Sequence, residues 1–297
     1  MRIAFITPTR DRPEPLSRML KSLAAQSRRP DQVIVVDAGN RTVRDRVVPV
    51  NGLDMHYLRW TGAPSSSSQR NAGLDLLKRE IDLVCFFDDD QELHHDALEK
   101  MLQFWQTAPP DIGAASFNEA TYQDKRTLIW RKLGLGSRLG LYPGKPGRVA
   151  PSGWHSLYGK ADRNRECQWL SSKALVLRRN LLDTYRFDPF FEGYSYLEDL
   201  DFTYAISRHH KLVIVADAQF DHDQPPRGPD FNWRDFGRME VRNRLYFVRK
   251  HGLSVPRCYF GLLIRLGMTL GEALFRLDRS AWSRAMGNAE EFTAKKE

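Results

Sequence analysis

The sequence predicts an α/β protein: a mainly parallel, Rossmann-like sheet flanked by helices, with a helical extension at the C-terminal end. Three observations carry this reading. Apolar runs of strand length, Arg2–Thr7, Gln32–Asp37, Met55–Leu58 and Leu83–Phe87, alternate with segments of helical period in units of about thirty residues, the pattern of right-handed parallel crossovers. Two of these runs stop abruptly in acids, at Asp37 and at Asp88-Asp89-Asp90, as strands do when they leave a buried sheet. Near the end of the chain, one apolar stripe runs from Tyr259 to Leu277 at helical spacing.

The elements follow in order. Arg2–Thr7 is the first strand, and Pro8-Thr9-Arg10-Asp11-Arg12-Pro13 is a loop of turn residues. Leu16, Met19, Leu20 and Leu23 recur at helical spacing, predicting a helix to Gln26. Gln32–Asp37 is the second strand, Ala38-Gly39-Asn40 turns the chain, and Met55–Leu58 is a shorter third strand. Ser65–Ser68 offer a helix cap, which places Arg70 and Asn71 on the first turns of a helix leading into Leu83–Phe87. Leu93–Trp105 reads as a helix and Ile112–Phe117 as a strand. From Thr121 to Arg165, glycine, proline and basic residues break every period; a loop that long is functional or mobile. Order returns at Trp169–Leu177, followed by a short helix over Arg178–Tyr185, a helix beginning at Glu198-Asp199 and a strand at Lys211–Val215. Phe231–Lys250 is a basic helix with Arg234, Arg238 and Arg242 on one face and Arg227 in the loop before it; the plain reading is a solvated cationic face. In the last stripe Tyr259, Leu262, Leu263, Leu266, Leu270, Ala273, Leu274 and Leu277 are apolar; packing on the rest of the chain is the first reading and lying on a membrane the second. The polar end from Asn288 is expected to fray.

Composition bounds the function. The chain has 297 residues, 41% hydrophobic and 28% charged, as in a soluble globular protein. A net charge of +8 favours anionic partners such as nucleotides, phosphorylated lipids or an anionic membrane. Cys85, Cys167 and Cys258 are few and scattered, with no CxxC, so neither a disulfide framework nor a zinc site is expected. No apolar run reaches the ~18 residues of a membrane span, and no signal peptide is expected. No GxGxxG and no GxxxxGK[ST] follows the first strand, which excludes the usual dinucleotide fingerprint and the P-loop. No nucleic-acid-binding motif accompanies the positive charge.

The chemistry is concentrated in acids. Three adjacent carboxylates repel one another unless a cation holds them, and a hard divalent ion is the natural occupant; a polar strand-to-helix turn is the plainer alternative. Glu198 and Asp199 are either acids complementing a helix dipole or a general base beside the cleft. Arg70 alone reads as a surface charge. His222, between Asp221 and Asp223 just past a strand, is a better ligand candidate than most single histidines.

Taken together, Pro8-Thr9-Arg10, Val35-Val36-Asp37, Arg70-Asn71-Ala72-Gly73, Asp88-Asp89-Asp90 and Leu197-Glu198-Asp199 resemble, in order and approximate spacing, a family 2 glycosyltransferase with the GT-A fold, over roughly Arg2 to Gly252. The resemblance implies that Thr7, Pro8, Arg10 and Asp37 hold the nucleotide base, that Arg70 and Asn71 lie on the nucleotide-sugar, and that Asp89 takes the ribose. It implies Mg²⁺ or Mn²⁺ on Asp88 and Asp90, with His222 as a further ligand. It implies Asp199 as the general base beside Glu198, and transfer from a nucleotide-diphosphate sugar to a saccharide or lipid-linked acceptor hydroxyl by single displacement with inversion. Bacterial polysaccharide and O-antigen transferases are the nearest type. Two features depart from the pattern: Asp37-Ala38-Gly39-Asn40 stands where an acid-Gly-Ser is usual, and Ala205 where many relatives carry an arginine. The organisation implied is a catalytic domain over residues 1–252, with a nucleotide half 1–117 and an acceptor half 118–252, followed by a helical extension 253–297. The expected place is the cytoplasm or the inner face of a membrane. A sugar-nucleotide pyrophosphorylase is the main rival, weakened because the first-strand loop has no glycine; a non-catalytic nucleotide-sugar binder is the other.

Overall fold

The computed structural model describes residues 1–47, 50, 52–122, 134–191, 193–223 and 231–294. β1 (Ile3–Thr9) is buried along its whole length. It leads through α1 (Pro13–Ala24) to β2 (Gln32–Asp37), also buried throughout, and then to β3 (Met55–Arg59). α2 (Ser66–Leu74) carries the chain back to β4 (Leu83–Phe87). These strands lie in the order β3-β2-β1-β4, each parallel to its neighbour. Burial on both faces is why their sequences read as unbroken apolar runs. The register pairs Thr9 with Asp37 and Ile6 with Phe86, so the loop after β1, Asp37 and the three aspartates share the carboxyl edge.

Beyond β4 the sheet becomes mixed. β5 (Gln91–Leu93), α3 (Ala97–Thr107), β6 (Ile112–Glu119), β7 (Arg165–Cys167) and β8 (Ala174–Arg178) follow, then a 3₁₀ turn over Arg179–Asp183, α4 (Glu198–Ser207) and β9 (Lys211–His222). β8 is antiparallel to both β4 and β6; β6 and β9 are parallel; β5 and β7 flank β9 antiparallel. Adjacent residues of β4 face opposite ways, as the pleat requires. Phe87 meets Phe5, Phe117 and Phe220 edge-on, while Phe86 meets Phe187 and Phe202, themselves stacked 4.1 Å apart.

The chain falls into two compact units: Met1–Lys125 with Tyr158–Gln224, and Arg126–Leu157 with Pro225–Glu297. The first contains the sheet. The second contains α5 (Trp233–Lys250), α6 (Val255–Arg276) and α7 (Arg279–Thr293) together with residues 134–157. Its interior is tied by charge. Fully buried Arg244 donates to the Gly153 carbonyl at 2.6 Å and lies over the Trp154 ring. Buried Glu240 accepts from Arg284 at 2.9 Å, with Arg265 at 3.6 Å, so one carboxylate joins three helices. Burial works against the charge of Glu240, but its bond to Arg284 outweighs this and lowers its pKa.

The structure departs from the sequence expectations at several places. The helix expected from Leu93 begins at Ala97, because Gln91–Leu93 pair with β9. The strand expected over Lys211–Val215 continues to His222 by pairing with β6 and β5, so His222 is the last strand residue rather than lying beyond it. The end from Asn288 does not fray at once. Asn288 is buried and donates to the Gly237 carbonyl at 2.8 Å, and α7, capped by Asp278, runs to Thr293. The cationic face of α5 is partly neutralised: Arg234 and Arg238 both bond Glu290. Arg227, and residues 123–133 of the 121–165 stretch, lie outside the described residues.

α5 and α7 touch backbone to backbone. A methyl on Gly287 would come within 2.0 Å of the Arg234 carbonyl oxygen, and one on Gly237 within 2.2 Å of that of Arg284. Such an overlap has no flexible side chain to yield, so Gly287→Ala forces the helices apart. The expected result is a loss of at least ~1–3 kcal/mol, the usual cost of overpacking, read as a lower urea midpoint at unchanged helix content before unfolding.

Candidate active site

The acidic edge is organised by arginines. Arg70, on α2, is only 2% exposed. Its Nη2 donates to Asp88 at 2.7 Å and its Nη1 to Glu198, and its guanidinium lies over the Phe187 ring. Burial opposes the charge of Arg70, but Glu198 and Asp88 outweigh it and raise its pKa. Glu198, the first residue of α4, also accepts from Ser66 at 3.0 Å and Ser67 at 2.5 Å. The serine run is therefore a receptor for a carboxylate; Ser65 stands at the cap position, but its side chain makes no cap hydrogen bond to α2. Ser65 completes the lock by donating to the Phe191 carbonyl at 3.1 Å.

The chain enters α4 through unusual backbone. Ser195 and Leu197 have φ of 54° and 73°, the left-handed region that side chains with a Cβ avoid, and Leu197 is buried. This turn sets Glu198 towards Arg70. Asp199 is half-buried beside it and accepts from the backbone N–H of Leu200 at 2.8 Å. Among the described residues no arginine or lysine pairs with it. Burial, then the charge of Glu198, push its pKa up to about 6.

Asp89 and Asp90 share a second arginine. Arg12 donates to Asp89 at 2.8 Å and to Asp90 at 3.0 Å. Thr9 donates to Asp89 at 2.7 Å. Burial pushes Asp89 up to about 7 despite these partners. Burial acts the same way on Asp90, but its contact with His222 and the charge of Arg12 prevail and hold it at about 2. His222 Nε2 lies 3.7 Å from Asp90 Oδ1, and its Nδ1 lies 3.3 Å from Glu119 and 3.2 Å from Lys173. Burial disfavours charge on His222, yet Asp90 and Glu119 raise its pKa overall. The charged series Arg12, Asp90, His222, Glu119 and Lys173 thus links the loop after β1, the ends of β4, β6 and β9 and the start of β8, while Arg70 joins α2 to the end of β4 and to α4.

The remaining predicted residues are placed as follows. Asp37 is fully buried and saturated: it accepts from the backbone of Gly39 at 2.8 Å and Val43 at 3.1 Å, from Tyr57 at 2.7 Å and from Arg59 at 2.8 Å. It shapes the loop after β2. Gly39 is required there, because a Cβ would come within 2.8 Å of the Asp11 backbone nitrogen. Asn71 spends its amide on the backbone of Phe187, at 2.8 and 3.1 Å. Thr7 and Pro8 are buried in β1, and Arg10 is exposed at its end. Sequence reasoning singled out Arg10; it is Arg12, just before the proline that opens α1, that reaches the acids. Thr9, Ser66, Ser67, Glu119 and Lys173 were not singled out either. Glu119 and Lys173 carry no local signal, since strand pairing alone brings them to His222.

Residues 4–166 match the family model for Glycosyl transferase family 2, more than half of the chain. The chain belongs to that family. No curated protein matches it in sequence. Among solved structures, S. aureus TarS 1–349 in complex with UDP-GlcNAc is similar at 15% identity and a TM-score of 0.60, covering 98% of this chain and 80% of that one. The mannosyltransferase PcManGT from Pyrobaculum calidifontis, in complex with GDP-Man and Mn²⁺, is similar at 14% identity and a TM-score of 0.57, covering 99% and 88%. Against longer S. aureus TarS, at 16% identity and a TM-score of 0.53, the alignment covers 83% of this chain but only 39% of that one. The fold is the GT-A fold expected from the sequence, and the family assignment makes the protein a glycosyltransferase.

At the acidic edge, Arg70 is a buried cation held between two carboxylates. Arg70→Ala would leave Glu198 buried without a cation. Removing one partner of such a pair costs roughly 3–5 kcal/mol, so the urea-derived stability should fall by that order. Arg70→Lys should recover only part of it, because an ammonium cannot fork between two carboxylates.

Proposed function

We propose that the protein transfers a sugar from a nucleotide-diphosphate donor to an acceptor hydroxyl with inversion, with Asp199 as general base. The observation that carries this is the division of labour between adjacent acids. Glu198 is spent on Arg70, Ser66 and Ser67. Asp199 has no cationic partner among the described residues and titrates near 6, close to the pH at which a base must work. In the displacement, the acceptor oxygen attacks the anomeric carbon and gives its proton to Asp199. The bond from that carbon to the diphosphate breaks, and the electron pair leaves with the diphosphate. No nucleophilic carboxylate is needed.

We assign a divalent ion to the Asp90–His222 part of the acidic edge. Asp90 and His222 present one carboxylate oxygen and one imidazole nitrogen 3.7 Å apart. Among the described residues no three His, Cys, Asp or Glu side chains form a closed metal cage. Mg²⁺ is usually held by one or two carboxylates with the remaining positions left to water and phosphate oxygens; an imidazole beside the carboxylate suits the softer Mn²⁺ better than Mg²⁺. Asp90 and His222 would hold the ion, which when bound would neutralise charge on the diphosphate. Asp88 is the other candidate ligand; one of its oxygens accepts from Arg70, as one of those of Asp90 accepts from Arg12. Asp89 is assigned to the ribose, and Thr7, Pro8, Arg10 and the loop built by Asp37 to the base. Arg70 and Asn71 support the donor by fixing Asp88, α4 and the Phe187 segment. The acceptor is a saccharide or a lipid-linked saccharide, in synthesis of a cell-surface polysaccharide or glycoconjugate. A donor is first found by thermal shift against nucleoside diphosphates and their sugars, with and without Mn²⁺.

With that donor, Asp199→Asn should cut transfer by ~10²–10⁴-fold while donor affinity changes little. Glu198→Gln should act first on stability. Normal turnover in Asp199→Asn would move the base elsewhere. Since Asp199 must be unprotonated to work, kcat/KM should fall tenfold per pH unit below about 6 and be flat just above it. That acid limb belongs to Asp199 if the residual activity of Asp199→Asn lacks it. For the ion, Asp90→Ala or EDTA should abolish the Mn²⁺-dependent gain in donor affinity without unfolding the protein; a gain that survives both rules out the Asp90–His222 site.

A further inference from the structure

α6 is apolar on two faces. One face, with Cys258, Gly261, Leu262, Thr269 and Ala273, is buried within its own unit. The other carries Phe260, Leu263, Met268, Leu274 and Phe275. At 100° per residue these fall on one stripe, interrupted only by Gly267 and Gly271. The stripe spans about 22 Å at 1.5 Å per residue. Leu274 is 63% exposed, Phe275 92%, and Leu277 in the turn that follows 87%. On α7, Trp282 and Met286 are exposed one turn apart. The apolar stripe foreseen in the sequence therefore packs through Leu262 and Ala273, whereas Leu263, Leu274 and Leu277 remain outside.

Charge says what covers this face. The unit formed by residues 126–157 and 225–297 holds 20 Lys and Arg against 8 Asp and Glu; the sheet-bearing unit holds 25 against 29. The positive charge of the chain thus belongs to the unit with the apolar stripe. Exposed basic residues stand at both ends of the stripe, Arg257 at its start and Arg276 and Arg279 at its end. A second copy laid on this face would set two positive surpluses against each other. An anionic lipid surface matches both the apolar stripe and the basic ends. Contrary to the expectation from the sequence, this helix is long and apolar enough to cross a membrane by length and composition, but its opposite face is packed on protein, which suits it to lie along a surface rather than to span one.

We propose that α6 is a peripheral docking face for an anionic membrane, with Phe260, Leu263, Leu274 and Phe275 entering the acyl boundary and the flanking arginines meeting headgroups. The test is sedimentation of the full chain with vesicles of phosphatidylcholine alone or with 30% phosphatidylglycerol. The wild type should pellet with the anionic vesicles, weakly with the neutral ones, and be released by high salt. Leu274→Ser with Phe275→Ser should weaken binding more than tenfold at an unchanged melting temperature, since both side chains are already exposed. Arg257→Gln with Arg279→Gln should weaken binding to the anionic vesicles by roughly thirtyfold, about 1 kcal/mol for each arginine, and leave the weak neutral binding as it was. No sedimentation of the wild type, equal binding to both vesicle types, or wild-type affinity in the serine variant would overturn the proposal. So would light scattering that shows a dimer which the serine variant dissolves, because the face would then belong to a second copy.

Discussion

A single buried guanidinium holds the active edge of this protein together. Arg70 sits where water cannot solvate it, and it is stable there only because carboxylates from two separate elements meet it. Asp88 ends a central strand and Glu198 begins a helix more than a hundred residues later. Glu198 could not be buried alone, and neither could the arginine; Asp88, partly exposed, supplies the second carboxylate. The three groups must therefore assemble together, and their assembly fixes where α4 starts. The left-handed residues Ser195 and Leu197 are the backbone strain accepted to bring that helix into place.

The same arrangement separates two acids that the sequence presents as equals. Glu198 faces a cation and two hydroxyl donors, and it serves as a fixed anchor. Asp199, one residue on, meets burial and the negative charge of its neighbour, and its proton affinity rises. Giving one of two adjacent acids fixed partners while raising the proton affinity of the other is how a fold assigns structural and chemical duties to residues of one type. Asp89 and Asp90 repeat the pattern around Arg12, one pushed up by burial and the other held low by His222 and Arg12.

Much of this was legible in the sequence, for physical reasons. Strands buried on both faces must be apolar runs, so β1, β2 and β4 declared themselves, and carboxylates cannot follow a strand inward, so Asp88-Asp89-Asp90 marked the sheet edge. Glu198-Asp199 stood out as acids at a helix start. What stayed hidden depends on partners far along the chain. Nothing local distinguishes Arg12 from Arg10, yet only Arg12 reaches the acids. Ser65–Ser67 look like a flexible tract until Glu198 and the Phe191 carbonyl are brought to them. β5 is too short to show a period, and the extension of β9 to His222 exists because β5 and β6 are there to pair with it. The apolar stripe of α6 was visible, but a helix that is apolar nearly all round does not announce which face its own protein will cover.

The interleaving of the two units bears on the order in which the molecule can form. Residues 134–157 lie between the strands of the first unit in the chain but find their partners in the second: Gly153 binds Arg244, and the Pro151 carbonyl accepts from Ser254. Synthesis proceeds from the N-terminus at ~5–20 residues per second, so this segment leaves the ribosome several seconds before the helices that receive it. During that interval Trp154 has no Arg244 to cover it, and the sheet must close around β7 to β9 with the intervening segment still waiting. The long insertion is in this sense a delayed half of a helical unit, completed only once α5 and α6 have been made.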